Sequence, residues 1–279
     1  MEKSLLINFN NRDIEFHLHD TTQDRGEGLA NILRGTTYPI IKNIDAEVIV
    51  DLGANIGAAS VFFAMNYPNS QIFSFEPTLM NFSLLRRNMQ SFDNVKIFNK
   101  GAHASDRVEK IYLDDQKGGR NSIYQDWTKS KRYEEVELIN IANFLEIQNI
   151  KKIDILKIDT EGCEVPIIKT LNNYYESLSV IYLEYHSVSD KKELLRLLEN
   201  THMVIGDKVV GMTEALVDRS LLGKKYCAVT GKKENSICKN GEIITDVVLE
   251  KLIALGIKTT MVVFEGLGEM VLINKKFST

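Results

Sequence analysis

The stretch VIVDLGANIGAAS, residues 48–60, contains the residues best suited to hold a ligand. A hydrophobic run ends in Asp51, and Gly53 and Gly57 then flank Asn55 before small residues begin a helical pattern. Glycine permits positive φ angles and lets the backbone approach a ligand closely. A glycine turn between a strand and a helix is typical of sites for nucleotide-like ligands.

The next apolar run, QIFSFEP, ends in Glu76 and Pro77. A carboxylate there can accept charge-assisted hydrogen bonds from both hydroxyls of a ribose. A dinucleotide would also need a close approach of its pyrophosphate, but Asn55 occupies the middle glycine position and Gly57 is out of register. S-adenosylmethionine has no phosphate and fits the pattern better, with Asp51 holding its ammonium group directly or through water.

A second chemical cluster lies within the run DILKIDTEGCE, where three acids and a lysine crowd one strand end: Lys157, Asp159, Glu161 and Glu164. Lys157, Asp159 and Glu161 stand out among them. Lys157 and Asp159 are two positions apart and therefore share one face of a strand. A lysine in an apolar strand is costly unless it is paired or functional. We therefore treat all three residues as catalytic candidates, with Asp159 also facing the cofactor.

The run SVIYLEYH ends in Glu184 and His186, at the edge where a substrate would lie. The ordinary pKa of histidine is close to neutral, so His186 is the predicted general base for removing a hydroxyl proton. In a second mechanism, Asp159 and Glu184, together with Glu161 and His186, hold Mg²⁺, which would acidify a bound hydroxyl. These acids could equally orient the substrate.

The elements that must position these residues alternate along the chain. Five short apolar runs predict buried strands, and helical patterns separate most of them: EVIVDLG, QIFSFEP, NVKIFNKG, DILKIDTEG and SVIYLEYH. Such alternation predicts an α/β fold with a mostly parallel sheet covered by helices on both faces. Ligands of such sheets bind at the carboxyl ends of the strands, where the polar residues lie.

The chain divides into three predicted segments. Residues 1–45 form a hairpin and a lid, residues 46–204 form the ligand-binding core, and residues 205–279 form an extension that ends in an edge strand and could determine substrate specificity. The loop at residues 114–127 is expected to lie over the site and to gate it.

In order and spacing, the motifs DLGANIG, FEP, LKIDTEGCE and LEYH resemble those of the FkbM-type methyltransferases, over roughly residues 45–190. The resemblance implies a Rossmann-like class I methyltransferase fold and S-adenosylmethionine as cofactor. It implies O-methylation of a hydroxyl on a sugar, polyketide or other small molecule. It also places Gly101 and Ala102 near the adenine through backbone contacts.

Composition sets limits on partners and location. The 279 residues carry a net charge of -4, which gives no overall attraction to nucleic acid. Three cysteines form no CxxC pair and fit a reducing, cytoplasmic setting. We expect neither a signal peptide nor a membrane-spanning segment. A homodimer through the C-terminal edge strand is one option.

The function that fits best is methylation of a small-molecule or glycan hydroxyl. The alternatives are a methyltransferase acting on RNA or protein, an NAD-dependent oxidoreductase, and a binding module that has lost catalysis. The displaced glycine pattern and the lack of a Tyr-x-x-x-Lys pair speak against the oxidoreductase. The presence of Glu76, Asp159 and His186 speaks against a module without catalysis.

Overall fold

The computed structural model describes residues 2–9, 12–19, 27–114, 121–128, 130–226, 236–238 and 242–277. The strands within these residues are β1 (Glu2–Phe9), β2 (Arg12–His19), β3 (Val48–Leu52), β4 (Gln71–Phe75), β5 (Val95–Phe98), β6 (Gly101–His103), β7 (Arg107–Tyr112), β8 (Tyr133–Asn140), β9 (Ile155–Ile158), β10 (Val180–Tyr185), β11 (His202–Leu216) and β12 (Thr259–Asn274). The α-helices are α1 (Glu27–Leu33), α2 (Ala58–Asn66), α3 (Leu79–Asn88), α4 (Gln125–Thr128), α5 (Ile141–Ile147), α6 (Glu164–Thr170), α7 (Val188–Leu198) and α8 (Asp246–Ala254).

A seven-stranded sheet forms the centre of the fold, in the order β11-β12-β10-β9-β3-β4-β5. Strands β10, β9, β3, β4 and β5 pair in parallel, and β12 runs antiparallel to both β10 and β11. The five parallel strands are the five apolar runs of the sequence. The predicted α/β, Rossmann-like fold with a mostly parallel sheet is therefore confirmed.

Helices cover both faces of this sheet, which explains why its strands are apolar almost throughout. On one face, Ile158 packs with Ile167 and Leu194 from the helices α6 and α7. On the other face, Phe63 and Leu84 from α2 and α3 form a second core. Full burial of one such side chain contributes roughly 1.5–3 kcal/mol. Burial on both faces therefore holds the strand ends in fixed register.

The predicted C-terminal edge strand is wrong. Strand β12 lies inside the sheet between β10 and β11, so β11 is the edge strand on that side. The register of β11 against β12 shifts between Val204 and Gly206 and again between Val209 and Gly211. The predicted division at residue 204 falls within β11, and a homodimer can no longer be argued from the last strand.

The predicted N-terminal hairpin is present. Strands β1 and β2 pair antiparallel, with Phe9 opposite Arg12. Ile14, Phe16 and Leu18 of β2 alternate towards the interior and pack into the core that contains α2 and α3. The strand β2 is thereby joined to the core, while the lid function of this segment stays a prediction.

A small sheet of order β6-β8-β7 lies beyond the parallel strands. The short strand β6 pairs parallel to β8, and β7 pairs antiparallel to it. Ile111, Val136 and Leu138 form a compact apolar cluster there. Among the helices in the described residues, none has the length and apolar character needed to cross a membrane.

Candidate active site

The site lies where β3 and β9 end side by side. Strand β3 lies between β9 and β4, so the strand order reverses at this point of the sheet. In α/β sheets such a reversal leaves a crevice at the carboxyl ends of the strands. The amide N–H of Asp159 donates to the carbonyl oxygen of Leu52 at 3.1 Å. Gly53 has φ 77° and a Cβ there would lie 1.8 Å from the carbonyl oxygen of Asp159. Only glycine fits this junction.

A cavity of about 600 Å³ opens at this junction. Predicted site residues that line it are Gly53, Asn55, Glu76, Pro77, Gly101, Ala102, Asp159 and Glu161. This cavity is called the main cavity below. The structure thus brings together the glycine turn, the acid after β4 and the acids after β9.

Glu76 is held in place by its neighbours on the wall of the main cavity. Its Oε2 accepts a hydrogen bond from the Asn55 amide at 3.0 Å, and its Oε1 accepts from the Thr78 amide at 2.9 Å and the Thr78 hydroxyl at 2.5 Å. Burial raises the pKa of Glu76, while these hydrogen bonds lower it in part. The side chain of Glu76 is therefore buried and held in one orientation, as a residue that binds a ribose requires.

Asp51 and Lys157 do not line the main cavity and form a buried ion pair beside the turn. Lys157 Nζ lies 3.2 Å from Asp51 Oδ1 and donates to the Gly53 carbonyl oxygen at 2.6 Å. Burial alone would lower the pKa of Lys157, but Asp51, Tyr38 and Asp159 outweigh it and raise the pKa.

This pair bears on two expectations. Ser60 donates a hydrogen bond to Asp51 Oδ2 at 2.7 Å, and Asp51 does not line the main cavity. Its contact with a cofactor ammonium, directly or through water, stays a prediction. Lys157, expected among the catalytic residues, instead ties the carbonyl groups of the glycine turn to the end of β9. The sequence shows that a lysine in an apolar strand is energetically costly, but it does not show that Asp51 is the partner of Lys157.

Gly57 also lies outside the lining of the main cavity. Its φ is 95°, and a Cβ there would lie 2.9 Å from Leu85 Cδ1 and 3.0 Å from Met89 Cε. The second glycine of the turn therefore lets α2 begin against α3. Its predicted role as a cofactor contact becomes one of packing.

Sequence reasoning missed the other residues of the main cavity. They are Thr78, Asn81, Ile111, Asn121, Ile123, Leu138, Thr160 and Cys163. Ile111 and Leu138 belong to the small sheet, where an apolar residue that lines a cavity looks like any core residue. Asn121 and Ile123 carried a signal, since they lie in the loop expected to cover the site.

The described part of that loop is attached to the end of β9. The hydroxyl of Ser122 donates to the carbonyl oxygen of Glu161 at 2.8 Å. Glu161 itself has φ 52°, a left-handed conformation that is uncommon for a residue other than glycine. Residues 115–120 lie outside the described residues, so gating by this loop stays a prediction.

His186 lies in a cage of carboxylates behind Glu161. Its Nε2 is 3.1 Å from Glu161 Oε2, and its Nδ1 is 3.5 Å from Glu164 Oε2. Burial alone would lower the pKa of His186, but its hydrogen bonds to Glu161 and Glu164 raise it to about 11. A ring that stays protonated at neutral pH cannot accept another proton, so this geometry does not favour His186 as the general base.

The donor atoms of Glu161, Glu184 and His186 lie within 4.8 Å of one another, which raises the question of a metal. Mg²⁺ prefers oxygen ligands in an octahedral arrangement. Both ring nitrogens of His186 face carboxylates, so the positively charged imidazolium ring occupies the position that a metal ion would need. The residues do not fit the expected Mg²⁺ site of Asp159 and Glu184.

A second, smaller cavity of about 280 Å³ adjoins the main one. Its lining residues are Thr37, Tyr38, Ile158, Asp159, Tyr182, Leu183, Glu184, Glu269 and Met270. Asp159 lines both cavities. Burial raises the pKa of Glu184 well above its ordinary value, and the neighbouring carboxyl of Asp159 raises it further.

The chain is similar to known methyltransferases. The family model of the methyltransferase FkbM domain matches residues 51–205, which contain Glu76, Asp159 and His186. Methyltransferase 1 of Beauveria bassiana is 27% identical over 161 residues, 50% of this chain and 65% of that protein. The hexuronic acid methyltransferase AglP of Haloferax volcanii is 22% identical over 157 residues, 56% of this chain and 63% of that protein.

The match therefore spans less than two thirds of the length of either relative. Among solved structures, the methyltransferase FkbM of Methylobacillus flagellatus aligns with a TM-score of 0.42 and 16% identity, over 60% of this chain and 42% of that one.

Proposed function

The chain belongs to the FkbM methyltransferase family, and on that premise we propose that it is an S-adenosylmethionine-dependent methyltransferase. The acceptor we propose is a hydroxyl group of a small molecule or glycan. The observation that carries the proposal is the main cavity at the junction of β3 and β9, with the oriented carboxylate of Glu76 on its wall.

The residues of the main cavity fit the cofactor. When bound, S-adenosylmethionine supplies a methyl group on a positively charged sulfur. Glu76 presents a carboxylate to the ribose hydroxyls, and charge-assisted hydrogen bonds of this kind are short and strong. Ile111 and Leu138 provide an apolar wall for the adenine, close to Gly101. The turn at Gly53 then borders the methionine half.

Transfer to oxygen requires the acceptor to lose its proton, and Asp159 and Glu184 form the best-placed pair to receive it. Asp159 lines both cavities, Glu184 lines the smaller one, and their carboxyl groups interact closely. Burial and the neighbouring Asp159 raise the pKa of Glu184 well above its ordinary value, and a carboxylate with a raised pKa is a stronger base. A base of this kind contributes roughly 10²–10⁴-fold to a rate.

Alignment of the two reactants contributes the larger share of the rate. Holding reacting groups in position removes up to about 7–11 kcal/mol from the barrier of a bimolecular step. The sheet supplies this rigidity, because Asp159 and Glu184 follow or end neighbouring strands that are buried on both faces.

The class of acceptor draws support from one relative. AglP is named a hexuronic acid methyltransferase, which makes a sugar hydroxyl a reasonable acceptor for this chain also. Cys163 is a free thiol, which supports our proposal of a reducing, cytoplasmic setting.

Calorimetric titration tests the cofactor assignment. S-adenosylhomocysteine and NAD are titrated in parallel, each with and without Mg²⁺. We expect S-adenosylhomocysteine to bind, NAD not to bind, and Mg²⁺ to leave the affinity unchanged. Binding of NAD alone, or of neither compound, would show that the turn is misread. Binding that requires Mg²⁺ would show that the carboxylate cage is a metal site after all.

A further inference from the structure

The segment that follows β9, residues 159–163, forms much of one wall of the main cavity and is called the site segment below. Its members on that wall are Asp159, Thr160, Glu161 and Cys163. The backbone of the site segment is unusual, because Glu161 has φ 52° and Gly162 has φ 109°. A left-handed residue other than glycine persists only where the surrounding structure holds it in place. The contacts that hold the site segment therefore determine the shape of this wall.

Glu164, the first residue of α6, holds the site segment on both sides of Glu161. Its Oε1 accepts hydrogen bonds from the Thr160 amide and the Thr160 hydroxyl, each at 3.0 Å. Its Oε2 accepts from the Gly162 amide at 3.1 Å. The side chain of Glu164 is only 1% exposed. These hydrogen bonds fix the backbone, but they leave a buried negative charge that is costly without a counter-charge.

His186 supplies that counter-charge from the end of the neighbouring strand. Leu183 of β10 lies opposite Ile158 of β9, so His186 and Glu161 both stand three residues beyond a paired position. The His186 ring bridges two carboxylates, with Nε2 3.1 Å from Glu161 Oε2 and Nδ1 3.5 Å from Glu164 Oε2. One buried ring thus joins the site segment and the start of α6 to β10.

Two cations balance the acids at this end of the sheet. Lys157 lies 3.2 Å from Asp51 Oδ1 and 3.8 Å from Asp159 Oδ2, and so balances the start of the site segment. The carboxyl groups that act on His186 come from three elements: Glu161 in the site segment, Glu164 in α6 and Glu184 in β10. His186 therefore balances the rest of the site segment, although it lines neither cavity.

From this geometry we propose that His186 is a positioning residue: its positively charged ring draws Glu161 and Glu164 together and holds the site segment in the shape that binds S-adenosylmethionine. This role rests on the proposed function, since it presumes that the main cavity holds the cofactor. Ser122, whose hydroxyl donates to the Glu161 carbonyl oxygen, holds the same segment from the side of the small sheet. His186 acts through the site segment and requires no contact with the acceptor.

Calorimetry with S-adenosylhomocysteine at pH 8 tests this role without an acceptor. His186→Gln leaves Glu161 and Glu164 facing the same space without a positive charge. We expect the affinity to fall roughly tenfold or more, because removing one partner of a buried ion pair strands the other charge. Adding Glu161→Gln removes the repulsion, so the double variant should bind within about threefold of the wild type.

The matched control is His202→Gln. His202 is also buried, but its ring meets the Thr201 hydroxyl and the Leu178 carbonyl oxygen, and it lines neither cavity. This variant should leave the affinity for S-adenosylhomocysteine unchanged. Wild-type affinity in His186→Gln would overturn the proposal. So would a double variant that binds no better than His186→Gln, because a loss that charge removal does not repair is not electrostatic.

Nitrogen NMR of wild-type protein labelled at its histidine rings requires no variant to bind a ligand. The His186 signals are assigned by their loss in the double variant. We expect both ring nitrogens of His186 to carry a proton at pH 8, where a histidine with the ordinary pKa of about 6.5 is neutral. A neutral ring, or signals that shift when Mg²⁺ is added, would overturn the proposal. A wild type that shows the protonated ring but does not bind S-adenosylhomocysteine would instead overturn the proposed function.

Discussion

Replacement of Gly53 by alanine tests whether the junction of β3 and β9 is as tight as the structure shows. The added Cβ would lie 1.8 Å from the Asp159 carbonyl oxygen and 2.8 Å from its carbonyl carbon. Both are backbone atoms, so no side chain can rotate away. Ordinary contact begins at 3.4 Å, and the two strand ends must therefore separate by roughly 1.5 Å.

The cost has two parts. A φ of 77° is a left-handed conformation, which costs alanine about 1–2 kcal/mol. The forced separation adds about 1–3 kcal/mol, as overpacking of a rigid interior does. We therefore expect Gly53→Ala to lower the free energy of unfolding by about 2–5 kcal/mol. Because Gly53 lines the main cavity, the affinity for S-adenosylhomocysteine should fall at least tenfold.

The chain offers a matched control in Gly223. Its φ is 82°, but a Cβ there would meet no atom within 4 Å. Gly223→Ala therefore isolates the conformational cost of about 1–2 kcal/mol. Urea unfolding followed by circular dichroism measures stability, and calorimetry measures binding. If the two variants were equally stable and Gly53→Ala kept wild-type affinity, the reasoning about the junction would be refuted.

Three further predictions concern buried charges. Glu76→Gln should weaken S-adenosylhomocysteine binding by roughly 10–100-fold in calorimetry, because hydrogen bonds to a carboxylate are replaced by weaker ones; unchanged affinity would exclude Glu76 as the ribose ligand. Lys157→Met leaves Asp51 buried without its counter-charge and should cost about 3–5 kcal/mol in urea unfolding, whereas Lys169→Met, at an exposed pair, should cost less than about 1 kcal/mol. Burial lowers the pKa of His202 from 6.5 to about 4, so its stabilising contribution is complete above pH 6.5 and is lost as pH falls towards 4. Between pH 7 and pH 5, the free energy of unfolding should therefore fall by about 2 kcal/mol more in the wild type than in His202→Gln. Equal falls in the two proteins would contradict this.

The strand ends were predictable because the signals for them are local. Gly53, Glu76 and Asp159 each follow or end an apolar run, and all three line the main cavity. A parallel sheet gathers the carboxyl ends of its strands at one edge. Recognising the runs was therefore enough to bring these residues together. Ile111 and Leu138 were not predictable, because a cavity wall and a core have the same apolar composition.

The smaller cavity was less accessible to prediction. Tyr38 and Glu269 line the smaller cavity, although one precedes the core and the other lies in the last strand. No pattern along the chain connects them. Strand β12 inserts between β10 and β11 and thereby sets Glu269 opposite Glu184. That insertion depends on the packing of the sheet as a whole.

By itself, the sequence determined the order of strands and helices and the polar residues at each strand end, because periodicity and composition act over a few residues. Only the tertiary structure decided which charges neutralise one another. Lys157 reaches the Gly53 carbonyl oxygen across 104 positions of the chain, and His186 meets Glu161. Electrostatic energy depends on distance in space, so residues with suitable chemistry became supports for the site once the fold had paired them.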